Sequence, residues 1–268
     1  MLKRISVSQV TAWLACRLKW EYRYREELAK DGEGELQSSG KAIHAAVAAL
    51  LTGMSGVEGL PAVVEHSLRR SFEGREDREA KVNRYLPGAL RAVGRVPSAD
   101  LLGAGIWAVE TPIEGSWDDG NLIIWGKPDF FIVNEDGVFI TELKSTSDTD
   151  RVPLDYLLYN PQHRYYSVIL RQIYPDLPVY VRYIVVYTGK TGPTMMESSW
   201  LMKTEMLDRT EREMVTAGRE VGSLPILPNY GLPCNWCDYR QLCLLTITGG
   251  DTTIVKRRDF LPKSMKEE

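Results

Sequence analysis

Trp125-Gly126-Lys127-Pro128-Asp129, followed by Thr141-Glu142-Leu143-Lys144, is the stretch that decides how this chain is read. Side chains two apart on a strand share a face, so Glu142 and Lys144 point the same way while Leu143 points into the packing layer. Pro128 cannot donate to a sheet ladder and ends or distorts a strand, which frees Asp129 to face Glu142 on the neighbouring strand. Two carboxylates and an ammonium then meet in one place. Close carboxylates repel, and one pKa rises unless they share a cation. A hard divalent ion such as Mg2+ or Mn2+, which favours oxygen ligands and keeps several waters, is the usual answer. Alone, an E-x-K spacing describes a surface ion pair; set on consecutive strands joined by a turn and preceded by Pro-Asp, it describes a site.

Outward from this stretch, strands are expected at Ile106 to Glu110, Leu122 to Val133 and Gly137 to Lys144. Asp118-Asp119-Gly120 and Asn134-Glu135-Asp136-Gly137 supply the turns of an antiparallel meander. A helix begins at Pro161, with Asn160 as its N-cap and proline in the first helical position, and ends before Pro175. Val179 to Tyr187 follows as a fourth strand, and a long helix spans Trp200 to Gly218. Towards the N-terminus, Ser6 or Ser8 caps a helix that reaches Glu27. A second helix runs from Ser38 to Leu51 on the stripe Ala42, Ile43, Ala46, Val47 and Leu50. Residues 58–95 read as helical, with breaks at Pro61 and Pro87 and a charge run whose alternating signs suit a solvated face. Past Lys256-Arg257-Arg258 the chain is polar enough to be partly disordered.

The 268 residues, 44% of them hydrophobic, suffice for a real core. A formal net charge of -3 excludes a histone-like polybasic binder, although it does not describe the local field of a cleft. No apolar run is long enough to span a membrane, so no membrane partner is expected. No signal-peptide core is present either, which places the four cysteines in a reducing, cytoplasmic compartment where structural disulfides are uncommon. Cys234, Cys237 and Cys243 give C-x2-C-x5-C, and Cys16 stands apart. Thiolates at this spacing suit zinc or an iron–sulfur cluster, and spacing does not separate the two. No phosphate-cradling glycine loop of an ATPase is present.

Pro128-Asp129 and Glu142-Leu143-Lys144 make the chain resemble the PD-(D/E)XK nucleases, and within them the RecB-like branch. The resemblance covers most of the chain outside residues 53–104. It implies an α/β fold: a restriction-endonuclease-like core with a central mixed sheet flanked by helices. To this it adds a helical insertion and a cysteine-ligated cluster subdomain joining the N- and C-termini. On this reading residues 1–268 form one nuclease domain. Residues 1–30 and 222–247 are a cluster-binding clasp, 53–104 the insertion, 105–190 the catalytic core and 248–268 a tail.

The resemblance also assigns residues. His44, on the helix after the first break, stands where such nucleases carry a metal-binding histidine, and the backbone carbonyl of Leu143 is a further ligand beside Asp129 and Glu142. Gln162 and Tyr166, one helical turn apart, match a motif that lines the active site, with Lys144 assisting catalysis. Glu110 is a supporting candidate, whereas His66 and His163 read as structural. Nucleases of the AddB type and CRISPR-associated exonucleases carry one cysteine near the N-terminus and three near the C-terminus on a 4Fe-4S cluster. That pattern implies such a cluster on Cys16, Cys234, Cys237 and Cys243, zinc being the alternative. Arg17 stands where those relatives have a proline after the first cysteine. The implied activity is a Mg2+- or Mn2+-dependent exonuclease on single-stranded DNA ends, in recombination, repair, phage replication or CRISPR adaptation, with a recombination, helicase or integration protein as partner. Trp20, Tyr22, Arg23, Tyr24 and Arg25 interleave as base-stacking platforms do. The competing reading is a non-catalytic DNA-binding or scaffold protein that keeps the fold and the cluster.

Overall fold

The structure, a computed structural model, describes residues 2–30, 35–96, 107–146, 160–189 and 195–262. The chain divides into two compact units, residues 34–115 with 125–211, and residues 1–33 with 116–124 and 212–268.

The larger unit is built on a five-stranded sheet in the order β3-β6-β7-β8-β9. Its strands are β3 (Trp107–Val109), β6 (Phe130–Asn134), β7 (Gly137–Thr146), β8 (Val179–Tyr187) and β9 (Met195–Leu201). β6 and β7 form a hairpin whose turn is fixed by Asn134, the side-chain oxygen of which accepts from the amides of Asp136 at 3.0 Å and Gly137 at 3.2 Å. β8 lies parallel to β7, with Glu142 opposite Tyr183 and Leu143 opposite Ile184, and β9 returns antiparallel. The sheet is therefore mixed, as expected, and not a pure meander. A parallel neighbour needs a crossover, and α6 (Pro161–Ile173) lies between β7 and β8 in sequence. Asn160 caps it, accepting from the Gln162 amide at 3.0 Å. Residues 147–159 lie outside the described residues.

Alternation along β7 and β8 sends side chains to two different layers. Leu143, Ile184 and Val186 join Phe130 in one apolar cluster with α3 (Glu35–Leu51), α4 (Leu60–Ser71) and α5 (Arg78–Val93). Glu142 and Tyr183 face the other way, towards α6. Residues 60–93, read from sequence as an insertion with a solvated face, thus complete one wall of the core: Leu68, Phe72, Ala89 and Ala92 are fully buried. Neither proline breaks a helix, since Pro61 occupies the first turn of α4 and Pro87 lies inside α5. An internal proline costs ~3 kcal/mol, and burial of Val82, Ala89, Ala92 and Val93 on the same helix offsets it.

Three further expectations are corrected. Leu122 to Val133 is two strands, β5 (Leu122–Gly126) and β6, in different sheets, because Lys127-Pro128-Asp129 interrupts the ladder. β4 (Ile113–Trp117) and β9 were not anticipated. Trp200 therefore lies in a strand, and the last long helix, α7 (Thr204–Glu220), begins after it.

In the smaller unit, β1 (Lys3–Ser6) pairs with β5, and β5 with β4. The expected single N-terminal helix is broken. Ser6 caps α1 (Val7–Ala15), accepting from the Gln9 amide at 3.2 Å, and the chain becomes extended at Cys16. It resumes as α2 (Arg17–Trp20) and a π-helical turn over Glu21–Arg25. Trp20 and Tyr22 are buried, with Trp20 edge-on to Trp13 at 5.1 Å, so they are core residues and not exposed platforms for bases. The segment after Lys256 is also more ordered than expected: α9 (Thr253–Asp259) leads into β10 (Phe260–Pro262), which pairs with β2 (Leu28–Lys30). Residues 263–268 lie outside the described residues.

Candidate active site

Pro128 lies two residues before β6, and Asp129 sits at the strand's mouth with its carbonyl oxygen accepting from the Glu110 amide at 2.9 Å. The Asp129 carboxylate accepts from the Leu143 amide at 3.3 Å and stands 3.6 Å from His44 Nδ1. From α3, His44 reaches the same strand, with Nε2 2.9 Å from the carbonyl oxygen of Leu143. Burial is the main cause that lowers the His44 pKa, which keeps the imidazole neutral, the form that ligates metal.

Glu142 lies on the opposite face of β7 from Leu143 and is held from two sides. Its Oε1 pairs with the Lys144 ammonium and its Oε2 lies 2.8 Å from His163 Nε2. Burial alone would push Glu142 up, but the charges of His163 and Lys144 outweigh it and bring the carboxyl to about 2. Asp129 goes the other way: burial first, then the Glu142 charge, pushes it up to about 8. For Lys144, burial works to lower the ammonium pKa, but its carboxylate neighbours, Glu142 foremost, outweigh it and raise the value. One carboxyl ionised and its neighbour driven towards the neutral form is how two adjacent acids behave without a shared cation.

Gln162 and Tyr166 also meet. Gln162 Nε2 donates to Tyr166 Oη at 2.8 Å, and the phenol donates to the carbonyl oxygen of Lys127 at 3.0 Å. This ties α6 to the residue preceding Pro128. Burial pushes the Tyr166 phenol up to about 12, so it remains a donor at neutral pH. Glu110, by contrast, is largely exposed and pairs with Lys127 at 3.3 Å.

The residue missed from sequence is His163. Read as structural alongside His66, it is buried against Glu142, and its Nδ1 is hydrogen-bonded to Tyr183 Oη. His66 is exposed. No local signal marked His163; its partners come from β7 and β8, a parallel pairing that the sequence does not display.

Hard oxygen donors and a neutral imidazole are the chemistry a divalent ion takes, and the crowding of Asp129 against Glu142 is a charge problem that such an ion relieves. The donors currently bond to one another. Among the described residues no group of three or more His, Cys, Asp or Glu side chains is arranged as a ready metal site.

The cysteines lie in the smaller unit. Cys16 follows α1, Cys234 lies in the 3-10 turn Leu232–Trp236 and Cys237 directly after it, and Cys243 is in α8 (Arg240–Thr248). All four are free thiols. Burial raises the Cys243 thiol, and the charges of Cys16, Cys237 and Cys234 raise it further, so each of these three is within electrostatic reach of Cys243. Asn229 sits between two of them, its amide donating to Cys16 Sγ at 3.4 Å and its carbonyl oxygen accepting from Cys234 Sγ at 3.8 Å.

Among the described residues no helix is long and apolar enough to cross a membrane. No curated protein sequence matches the chain. Among solved structures, a "putative exonuclease" from Eubacterium rectale is 13% identical, with coverage of 93% of this chain and 94% of that one and a TM-score of 0.55, which is a likeness of fold. SSO0001 superposes more loosely, at 12% identity, 91% and 86% coverage and a TM-score of 0.41. Residues 4–244 match the PD-(D/E)XK nuclease superfamily, whose members typically use Mg2+ or Mn2+. With that match spanning nearly the whole sequence, the chain belongs to the PD-(D/E)XK nuclease superfamily.

Proposed function

We propose that this nuclease is a Mg2+- or Mn2+-dependent exonuclease that hydrolyses single-stranded DNA from an end. The observation that carries the reading is the meeting of Asp129, Glu142 and Lys144 beside His44 and the Leu143 carbonyl, with Asp129 driven towards neutrality by burial and then by the Glu142 charge. Asp129, Glu142, His44 and the Leu143 carbonyl would hold the ion. Bound there, the ion supplies Lewis-acid stabilisation of phosphate charge and lowers the pKa of water. Lys144, kept cationic by Glu142, stands beside the phosphate as charge develops on it. Gln162 and Tyr166 fix the Lys127-Pro128-Asp129 corner and offer polar groups for orienting water or DNA. Hydrolysis adds water across one P–O bond, leaving a phosphomonoester on one fragment and a hydroxyl on the other.

In the smaller unit, Cys16, Cys234, Cys237 and Cys243 hold a 4Fe-4S cluster on this reading, zinc being the other thiolate-loving candidate. What supports it is the C-x2-C-x5-C spacing together with Cys16 in the same unit, and the electrostatic reach of Cys16, Cys234 and Cys237 to Cys243. The cluster's role is structural, and the biological setting is DNA recombination, repair, phage replication or CRISPR adaptation beside a helicase or integration partner.

Digestion of single-stranded DNA labelled at either end, next to a circular single strand, tests the activity. Progressive release of label from one end, dependent on Mg2+ or Mn2+ and lost in Lys144→Ala, is expected. Cutting of the circle would show an endonuclease, and no cutting at all would leave a binding protein. For the cluster, anaerobically purified protein should be brown with absorption near ~400 nm; colourless protein with stoichiometric zinc would overturn it.

A further inference from the structure

We infer that His163, itself held by Tyr183, is the positioning residue for Glu142: it fixes one carboxylate oxygen on the sealed side of the sheet and leaves the other for the cation. The inference rests on the reading of Glu142 as a metal-bearing group and goes beyond it by assigning an unequal role to its two oxygens.

The two flanks of Glu142 differ in access. Its carboxylate is itself 4% exposed; His163 on the Oε2 side is 2% exposed, while Lys144 on the Oε1 side is 38% exposed. A hydrated ion arriving from solvent therefore meets Oε1 first. Neither Oε2 nor His163 Nε2 has an aligned hydrogen bond among the described residues, each other included, so for these two buried atoms the 2.8 Å ion-pair contact between them is the polar contact in reach. A carboxylate only accepts, which places the hydrogen on Nε2. Tyr183 Oη serves Nδ1, as donor or acceptor according to the ring's charge, and the hydroxyl suits both roles.

His163 has two further restraints. Its ring stands edge-on to Tyr183 at 4.6 Å between centroids, and its carbonyl oxygen accepts from Ser167 Oγ at 2.9 Å. Tyr183 and Glu142 face each other across the parallel β7–β8 ladder, so phenol, imidazole and carboxylate form a chain anchored at both ends to the sheet. Partners that orient a ligand in this way typically change metal affinity ~10–100-fold when removed.

The test is Mn2+ binding followed by electron paramagnetic resonance, with cleavage of labelled single-stranded DNA measured across Mn2+ concentrations. Wild type, Asp129→Ala, His163→Ala, His163→Gln, Tyr183→Phe and the double variant His163→Ala with Tyr183→Phe are compared. His163→Ala should bind Mn2+ ~10–100-fold more weakly, with the cleavage rate recovering at saturating Mn2+. His163→Gln, which keeps an N–H donor, should restore most of the affinity. Tyr183→Phe should weaken binding in the wild-type background and add nothing in His163→Ala.

Unchanged Mn2+ affinity in His163→Ala, with Asp129→Ala having lost both binding and cleavage, would overturn this inference and leave the nuclease reading intact. Equal losses in His163→Gln and His163→Ala would also overturn it, since the donor would then not be what matters. If His163→Ala does not fold, Tyr183→Phe decides, and wild-type affinity there counts against the chain of contacts. Failure of the wild type to bind Mn2+ would remove the nuclease reading and this inference together.

Discussion

Replacing Asp129 by Asn should stabilise the metal-free protein, and by an amount that depends on pH. Asp129 has an ordinary carboxyl pKa of 3.8 in the unfolded chain and about 8 in the folded one, raised by burial and by Glu142. A folded value above the unfolded one means that the native state holds the proton more tightly. Stability from this group is complete below the unfolded pKa and is lost as pH rises towards the folded value. At pH 7, ~3 units above the unfolded pKa and at ~1.4 kcal/mol per unit, the cost relative to a neutral isostere is on the order of 4 kcal/mol. Because the pair with Glu142 titrates jointly, ~2 kcal/mol is the figure to expect, a gain in Tm of ~4–8 °C.

Asparagine preserves the acceptor for the Leu143 amide and adds donors towards Glu142, so the charge is the main thing changed. Thermal unfolding in EDTA from pH 4 to 9 reads the effect. The difference between variant and wild type should be small near pH 4, grow up to about pH 8 and level off above it. Added Mg2+ should stabilise the wild type and not the variant. A difference that does not vary with pH, or a variant less stable than wild type at pH 8, would refute the argument.

Other substitutions probe the frame around the site. Gly137→Ala should destabilise by more than ~1 kcal/mol in denaturant unfolding, because Gly137 has φ +149 and a Cβ there would come within 2.6 Å of the Pro178 carbonyl oxygen. Leu68→Ala should cost ~2–5 kcal/mol, the loss expected of a fully buried leucine in the core and not of an appended insertion; a cost under ~0.5 kcal/mol would mean that α4 is dispensable. Tyr166→Phe removes the bond to the Lys127 carbonyl. It should cost ~1 kcal/mol of stability and slow cleavage, and a rate equal to wild type would place the corner's orientation elsewhere.

The parts of the fold that could be read from sequence are those in which local chemistry and tertiary fate agree. Asn160-Pro161 starts a helix whatever packs on it, and Asn134 to Gly137 closes a hairpin by its own hydrogen bonds. The alternation of Glu142, Leu143 and Lys144 survives because a strand has only two faces. Where several residues compete, the reading fails. Leu122 to Val133 reads as one strand from its two apolar runs, but Lys127-Pro128-Asp129 between them divides it between two sheets. Pro87 should stop a helix by its own preference, but the buried face of α5 outweighs that preference. Cys16 interrupts an otherwise helical pattern by adopting an extended backbone. The candidate site was legible through the spacing of its acids and lysine and through Gln162 and Tyr166. His163 was not, because its partners Glu142 and Tyr183 are brought to it by a parallel register between strands distant in sequence.

The central claim is that Asp129 and Glu142 share a divalent ion on which cleavage depends. The most direct measurement is a Mn2+ titration by electron paramagnetic resonance on wild type, Asp129→Ala and Glu142→Ala, with cleavage of end-labelled single-stranded DNA recorded on the same samples. Bound Mn2+ and cleavage should disappear together in both variants while their circular dichroism stays that of the wild type. Cleavage that persists in a correctly folded Asp129→Ala protein, or Mn2+ bound as tightly as in wild type, would contradict it.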